Sequence, residues 1–144
     1  MFYLDTSVLL PLFIQEPESL ALRHWFASMP YEEMMVSEWG LTEFASALGN
    51  KVRAQSMKPA QASVACDMMQ ALATRSFHVL TPTRRDYAVA LELVTDFASG
   101  LRAGDALHLA VAIGAQSSCL YTFDKQLARA ARKTKLKAAN PLAS

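Results

Sequence analysis

Four short apolar runs, at Met1–Leu4, Met34–Val36, Phe77–Leu80 and Cys119–Thr122, alternate along the chain with longer stretches of helical periodicity. The runs have strand length, and most are bounded by capping or turn-forming residues such as Pro30, Ser37, Pro82 and Asp124. Between them Leu41, Phe44, Ala45, Leu48 and Val52 recur every three or four positions, as do Tyr87, Leu91 and Val94, and Leu107, Ala110, Val111 and Gly114. Pro59 opens a further helical stretch where its missing N–H costs little. Such alternation predicts an α/β domain with a mainly parallel sheet of four strands and helices on both faces. A fifth, weakly signalled strand is expected near Leu136.

With 144 residues, the chain is the size of one domain, taken as 1–144. Apolar residues at 52% and charged residues at 19% exclude a disordered or fibrous chain. The net charge of +1 conceals a division: residues 1–124 carry a net −5, whereas 125–144 hold six basic and no acidic side chains. Net charge therefore makes no case for nucleic-acid binding, but the basic end of the chain is a candidate contact surface. Cys66 and Cys119 form no CxxC pair and read as buried thiols in a reducing compartment. Asp5 interrupts the first apolar run, so no signal peptide is expected there, and no stretch has the length of a membrane span. The expectation is a soluble, cytoplasmic domain without membrane contact.

Asp5 directly follows the first run and Asp124 the last. Either can serve simply as a helix N-cap. Parallel strands, however, end on one rim, and open α/β sheets place ligands at that rim. Glu43 lies six residues beyond the N-cap candidate Ser37, roughly 9 Å along the helix, among the apolar positions Leu41, Phe44 and Ala45. Glu38 is its rival, nearer the solvated end. Asp105 precedes an almost wholly apolar helical run, where the helix dipole alone would account for an acid. Four carboxylates converging on one cleft would repel each other unless a cation lay between them. All-oxygen ligation suits Mg²⁺, with Mn²⁺ as a substitute, and such ions promote phosphodiester hydrolysis.

Four segments, FYLDTSVLLPLF at 2–13, VSEWGLTEFASAL at 36–48, LRAGDALHLAVA at 101–112 and LYTFDKQLARAA at 120–131, resemble PIN-domain ribonucleases, and in particular the VapC-type toxins of toxin–antitoxin pairs. The resemblance implies a three-layer α/β/α fold with a mainly parallel four- or five-stranded sheet, commonly assembled as a homodimer. It implies that Asp5, Glu43, Asp105 and Asp124 bind Mg²⁺ and catalyse RNA cleavage, and that a cognate antitoxin blocks the groove. Thr6 or Ser7, and Thr122, match hydroxyl positions beside the acids that hold water or cap the rim. Regions 15–34 and 54–100 match only in general helical pattern, leaving substrate choice open.

Plainer readings compete elsewhere. His108 lies on roughly the same helical face as Asp105, but a mostly apolar helix favours a packed, hydrogen-bonded imidazole over a metal ligand. His24 and His78 have no catalytic partner, and neither a GxSxG elbow nor a P-loop is present. Trp25, Phe26, Tyr31 and Trp39 read as core or dimer contacts. Arg129, Arg132 and Lys133 share a helical face that is either simply solvated or, with Lys125 and Arg102, a phosphate-contact surface for RNA. A non-catalytic RNA-binding scaffold of the same fold stays open as an alternative. So does a receiver-like signalling domain, although the acid pair and strand-end lysine of a receiver are missing.

Overall fold

The computed structural model describes residues 1–143. The chain alternates as expected: β1 (Phe2–Leu4), α1 (Thr6–Phe13), α2 (Ser19–Ala27), β2 (Met34–Ser37), α3 (Glu38–Arg53), α4 (Pro59–Ser76), β3 (His78–Leu80), α5 (Arg84–Thr95), α6 (Ala103–Gly114), β4 (Cys119–Tyr121), α7 (Lys125–Lys133) and β5 (Ala138–Ala139). Short 3₁₀ turns at Tyr31–Glu33 and Phe97–Ser99 lead into β2 and α6. The strands form one five-stranded sheet in the order β3-β2-β1-β4-β5, and all four pairings are parallel. The weakly signalled last strand exists two residues beyond Leu136, as a pair of alanines against Leu120 and Tyr121.

Strand alternation sorts the core into two layers. Tyr3, Met35 and Leu120 point to one face and pack with Leu107, Leu109, Val111 and Leu127 of α6 and α7. Leu4, Met34 and Val36 point to the other and pack with Val8, Leu22, Phe44, Leu48 and Met69 of α1 to α4. The result is a three-layer α/β/α fold. Phe26 is buried in the second layer, while Trp25 stacks edge-on to Tyr121 with ring centroids 4.8 Å apart. Cys119 is buried, but Cys66 is only half-buried, contrary to expectation. The inward stripe of α4 runs through Ala65, Met69 and Ala73, which turns Cys66 toward its flank.

The topology decides where a ligand can sit. From β1 the chain winds outward through β2 and β3, then returns to β4 on the opposite side of β1. The crevice beyond the ends of β1 and β4 is therefore a topological switch point, the usual ligand position in open α/β sheets. Among the described residues no helix is long and apolar enough to cross a membrane.

Candidate active site

Asp5 and Asp124 flank that switch point. The Asp5 amide donates to the Tyr121 carbonyl, extending the β1–β4 ladder by one residue, and its carboxylate then caps α1. Oδ1 accepts from Ser7 Oγ at 2.6 Å and from the Val8 amide at 3.3 Å, while Oδ2 accepts from Thr122 Oγ1 at 2.8 Å. Ser7 Oγ in turn accepts from the Phe123 amide, and Thr122 Oγ1 from the Asp124 amide. These hydroxyls bind the two strand ends to each other. Asp5 is 3% exposed, and burial pushes its carboxyl up despite the His108 charge and the Ser7, Thr122 and Val8 hydrogen bonds.

Among the described residues, Asp124 caps α7 through one oxygen only. Its Oδ1 accepts from the Gln126 and Leu127 amides at 2.7 and 2.9 Å. Ser37 caps α3 as expected, and Glu43 lies on the face of α3 directed toward α6. Its Oε2 receives hydrogen bonds from Thr6 Oγ1 at 2.7 Å and His108 Nε2 at 2.5 Å. Burial pushes the Glu43 carboxyl up, but these bonds and the His108 charge prevail and hold it below its ordinary value. Asp105 lies in the first turn of α6 and has no hydrogen-bond donor among the described residues. Burial, then repulsion from Asp124, raises its carboxyl to about 6, with Glu43 and Asp5 adding to the rise and His108 opposing it.

Glu43, Asp105 and Asp124 line one cleft of about 510 Å³, together with Trp39, Arg102, Gly104 and Gln126. Asp5 is buried and does not line this cleft, but it is near enough to act on Asp105. Lys125, Arg129 and Arg132 are exposed on α7 and do not line it. One oxygen of Glu43, one of Asp124 and both of Asp105 lack a protein donor among the described residues. Free carboxylate oxygens around a polar cleft, with mutual repulsion already raising Asp105, suit a hard divalent cation. No three His, Cys, Asp or Glu side chains among the described residues are close enough to enclose an ion as they stand. Binding would therefore require the free carboxylates to turn inward, and the donor chemistry fits.

The PIN domain profile matches residues 2–133. The chain belongs to the PIN domain family. No curated protein shows significant sequence similarity to it. Among solved structures, VapC20 of Mycobacterium tuberculosis, described as a Sarcin-Ricin loop cleaving toxin, is 20% identical, with 90% of this chain and 95% of that one covered and a TM-score of 0.73. FitAcB from Neisseria gonorrhoeae is 18% identical over the whole of both chains, with a TM-score of 0.78. A toxin–antitoxin complex from Klebsiella pneumoniae is 17% identical, again over the whole of both chains, with a TM-score of 0.63. At these identities the likeness establishes the PIN fold.

Several residues that shape this PIN domain's cleft are not evident from the sequence. Tyr3 is one, because β1 reads as an apolar run and only its phenol tip is polar. Trp39 is another. Its indole Nε1 is buried at the edge of the cleft without a hydrogen-bond partner among the described residues. Gly104 admits both Trp39 and Glu43, since a Cβ there would lie 2.6 Å from Glu43 Oε1 and 3.2 Å from Trp39 Cζ2. A glycine at N2 of a helix gives no such signal in sequence.

Proposed function

We propose that this chain is a divalent-metal-dependent endoribonuclease acting as the toxin of a VapBC-type toxin–antitoxin pair. The single observation that carries this reading is the cleft at the switch point of a PIN fold, where Glu43, Asp105 and Asp124 present oxygens with no protein donor among the described residues, near the buried Asp5. Asp5, Glu43, Asp105 and Asp124 would hold Mg²⁺ or Mn²⁺. When bound, such an ion supplies Lewis-acid charge stabilisation and nucleophile activation at neutral pH.

The chain's own residues do the rest. Thr6 and His108 hold Glu43 by one oxygen and leave the other toward Gly104 and the cleft. Ser7 and Thr122 hold Asp5 in place and couple it to the Asp124 segment. They act as braces of the rim. Arg102 lines the cleft, where its guanidinium can orient a phosphodiester beside the acids. Lys125, Arg129 and Arg132 form the exposed basic face of α7, which begins at Asp124 and would track the RNA backbone away from the cut.

The antitoxin partner is supported by the similarity to chains solved as toxin–antitoxin assemblies. Cytoplasmic action and a homodimeric assembly follow from the same reading. The test is induced expression of the wild type and Asp105→Asn, each with and without the adjacent small reading frame, together with cleavage of total RNA by purified protein in Mg²⁺, Mn²⁺ or EDTA. Growth arrest and metal-dependent cleavage that both require Asp105 are expected. RNA binding without turnover in either metal would overturn the nuclease reading in favour of a binding scaffold.

A further inference from the structure

Glu43 is the acid whose direction is most tightly determined by groups that reach it from a distance. His108, 1% exposed on α6, spans the space between Glu43 and β1. Its Nδ1 lies 2.8 Å from Tyr3 Oη, and Tyr3 Oη lies 2.7 Å from Ser37 Oγ. Ser37 Oγ already accepts the Gly40 amide as the cap of α3. The Ser37 proton therefore donates to Tyr3, because no other acceptor for it exists among the described residues and an unpaired buried hydroxyl proton is costly. The Tyr3 proton then donates to His108 Nδ1. A neutral imidazole so engaged carries its own proton on Nε2, which faces Glu43 Oε2.

We infer that Ser37, Tyr3 and His108 form a one-way hydrogen-bond relay that ties Glu43 by Oε2 and so presents Oε1 to the Asp105–Asp124 cleft. The space around the relay is closed. A Cβ on Gly40 would approach His108 Cε1 to 3.3 Å, and the Tyr3 ring packs edge-on against the imidazole with centroids 5.8 Å apart. Tyr3, His108 and Ser37 are thus positioning residues for a carboxylate that no sequence motif connects to Tyr3 or His108. The inference deepens the functional proposal and rests on Glu43 being a metal ligand. Outer partners of this kind typically set metal affinity by about 10–100-fold.

The experiment uses the full chain. The ¹⁵N resonances of the imidazole are recorded in metal-free protein at pH 8, where a proton on Nε2 is expected. A proton on Nδ1, alone or together with one on Nε2, would overturn the relay's direction. Mn²⁺ binding is then titrated by electron paramagnetic resonance in the wild type, Tyr3→Phe, His108→Leu and His108→Gln, with melting temperatures measured alongside. His108→Leu should weaken Mn²⁺ binding about 10–100-fold and Tyr3→Phe by less, while His108→Gln, which keeps a donor toward Glu43, should recover most of the affinity. These losses should appear even where the melting temperature is unchanged. Wild-type affinity in His108→Leu and Tyr3→Phe would overturn the inference and leave the metal site intact. Failure of the wild type to bind Mn²⁺ would overturn the reading of Glu43 as a ligand and this inference with it. If His108→Leu does not fold, the resonances and Tyr3→Phe decide the matter.

Discussion

Asp5 and Asp105 stand on the same rim in opposite circumstances. Asp5 closes β1 with both oxygens engaged, by Ser7 and Val8 on one side and Thr122 on the other. Asp105 sits in the open first turn of α6 with no donor among the described residues and with Asp124 repelling it. Both carboxyls are raised, chiefly by burial, yet one is knitted into the fold and the other is held against its own preference. The contrast separates an acid that the architecture needs from an acid that the fold merely tolerates, the pattern that the proposed function expects of a group serving chemistry.

Replacing both acids in turn is the strongest way to break this comparison. Asp5→Ala should abolish RNA cleavage and also cost about 1–3 kcal/mol of stability, because it removes a helix cap and strands the Thr122 and Ser7 hydroxyls. Asp105→Ala should abolish cleavage and, in metal-free protein at neutral pH, leave the urea midpoint at or above that of the wild type, because it removes a repelled, buried carboxylate. Equal destabilisation by the two in urea titration would erase the distinction. Gly104→Ala comes next, since its Cβ would displace Glu43 or Trp39; turnover should fall about ten- to hundredfold with little change in melting temperature.

Metal-free stability should follow the same division with pH. A raised carboxyl stabilises the fold fully below its unfolded value, and that contribution is lost as pH rises through its folded value, about 6 for Asp105. In EDTA the melting temperature should therefore fall between about pH 4 and pH 7. Asp105→Asn should flatten that decline, and Mn²⁺ should reverse it in the wild type. A slope that survives in Asp105→Asn would assign it to Asp5. The smallest effect is expected far from the cleft. Gln116, just beyond α6, has φ +52, so Gln116→Gly should stabilise the chain by about 0.5–1 kcal/mol in thermal melts, with cleavage unaltered.

That last position also shows why the helix ends carry little signal in this sequence. α3, α6 and α7 all terminate with a left-handed residue that is not glycine, namely Gln55, Gln116 and Lys135. Each end closes by paired backbone hydrogen bonds, such as Ser117 N–H to Ala112 O and Gln116 N–H to Ile113 O, so the usual glycine signal is missing. The short β5 was signalled only weakly for a related reason. Two alanines form a strand only because Leu120 and Tyr121 are there to pair with them.

His108 shows the same limit at the site. Its spacing from Asp105 suggested a shared face, and its apolar neighbours suggested a packed imidazole. The structure bears out the packing and adds a partner, Glu43, from another helix 65 positions away. The hydroxyls beside the acids divide likewise. Thr6 serves Glu43, whereas the adjacent Ser7 serves Asp5, because successive residues of a helix point in different directions.

Periodicity and punctuation in the chain were enough to determine the α/β alternation, the parallel sheet and the placement of Asp5 and Asp124 at strand ends, since these depend on local spacing and on the common direction of parallel strands. The sequence also singled out Glu43 and Asp105 as acids in apolar company. Only the tertiary structure decided which carboxylate oxygens are spent on the fold and which face the cleft. A hydrogen bond consumes a particular lone pair from a particular direction, and those directions come from Thr6, His108, Tyr3 and Thr122, residues that are distant in sequence and meet only when the sheet is assembled.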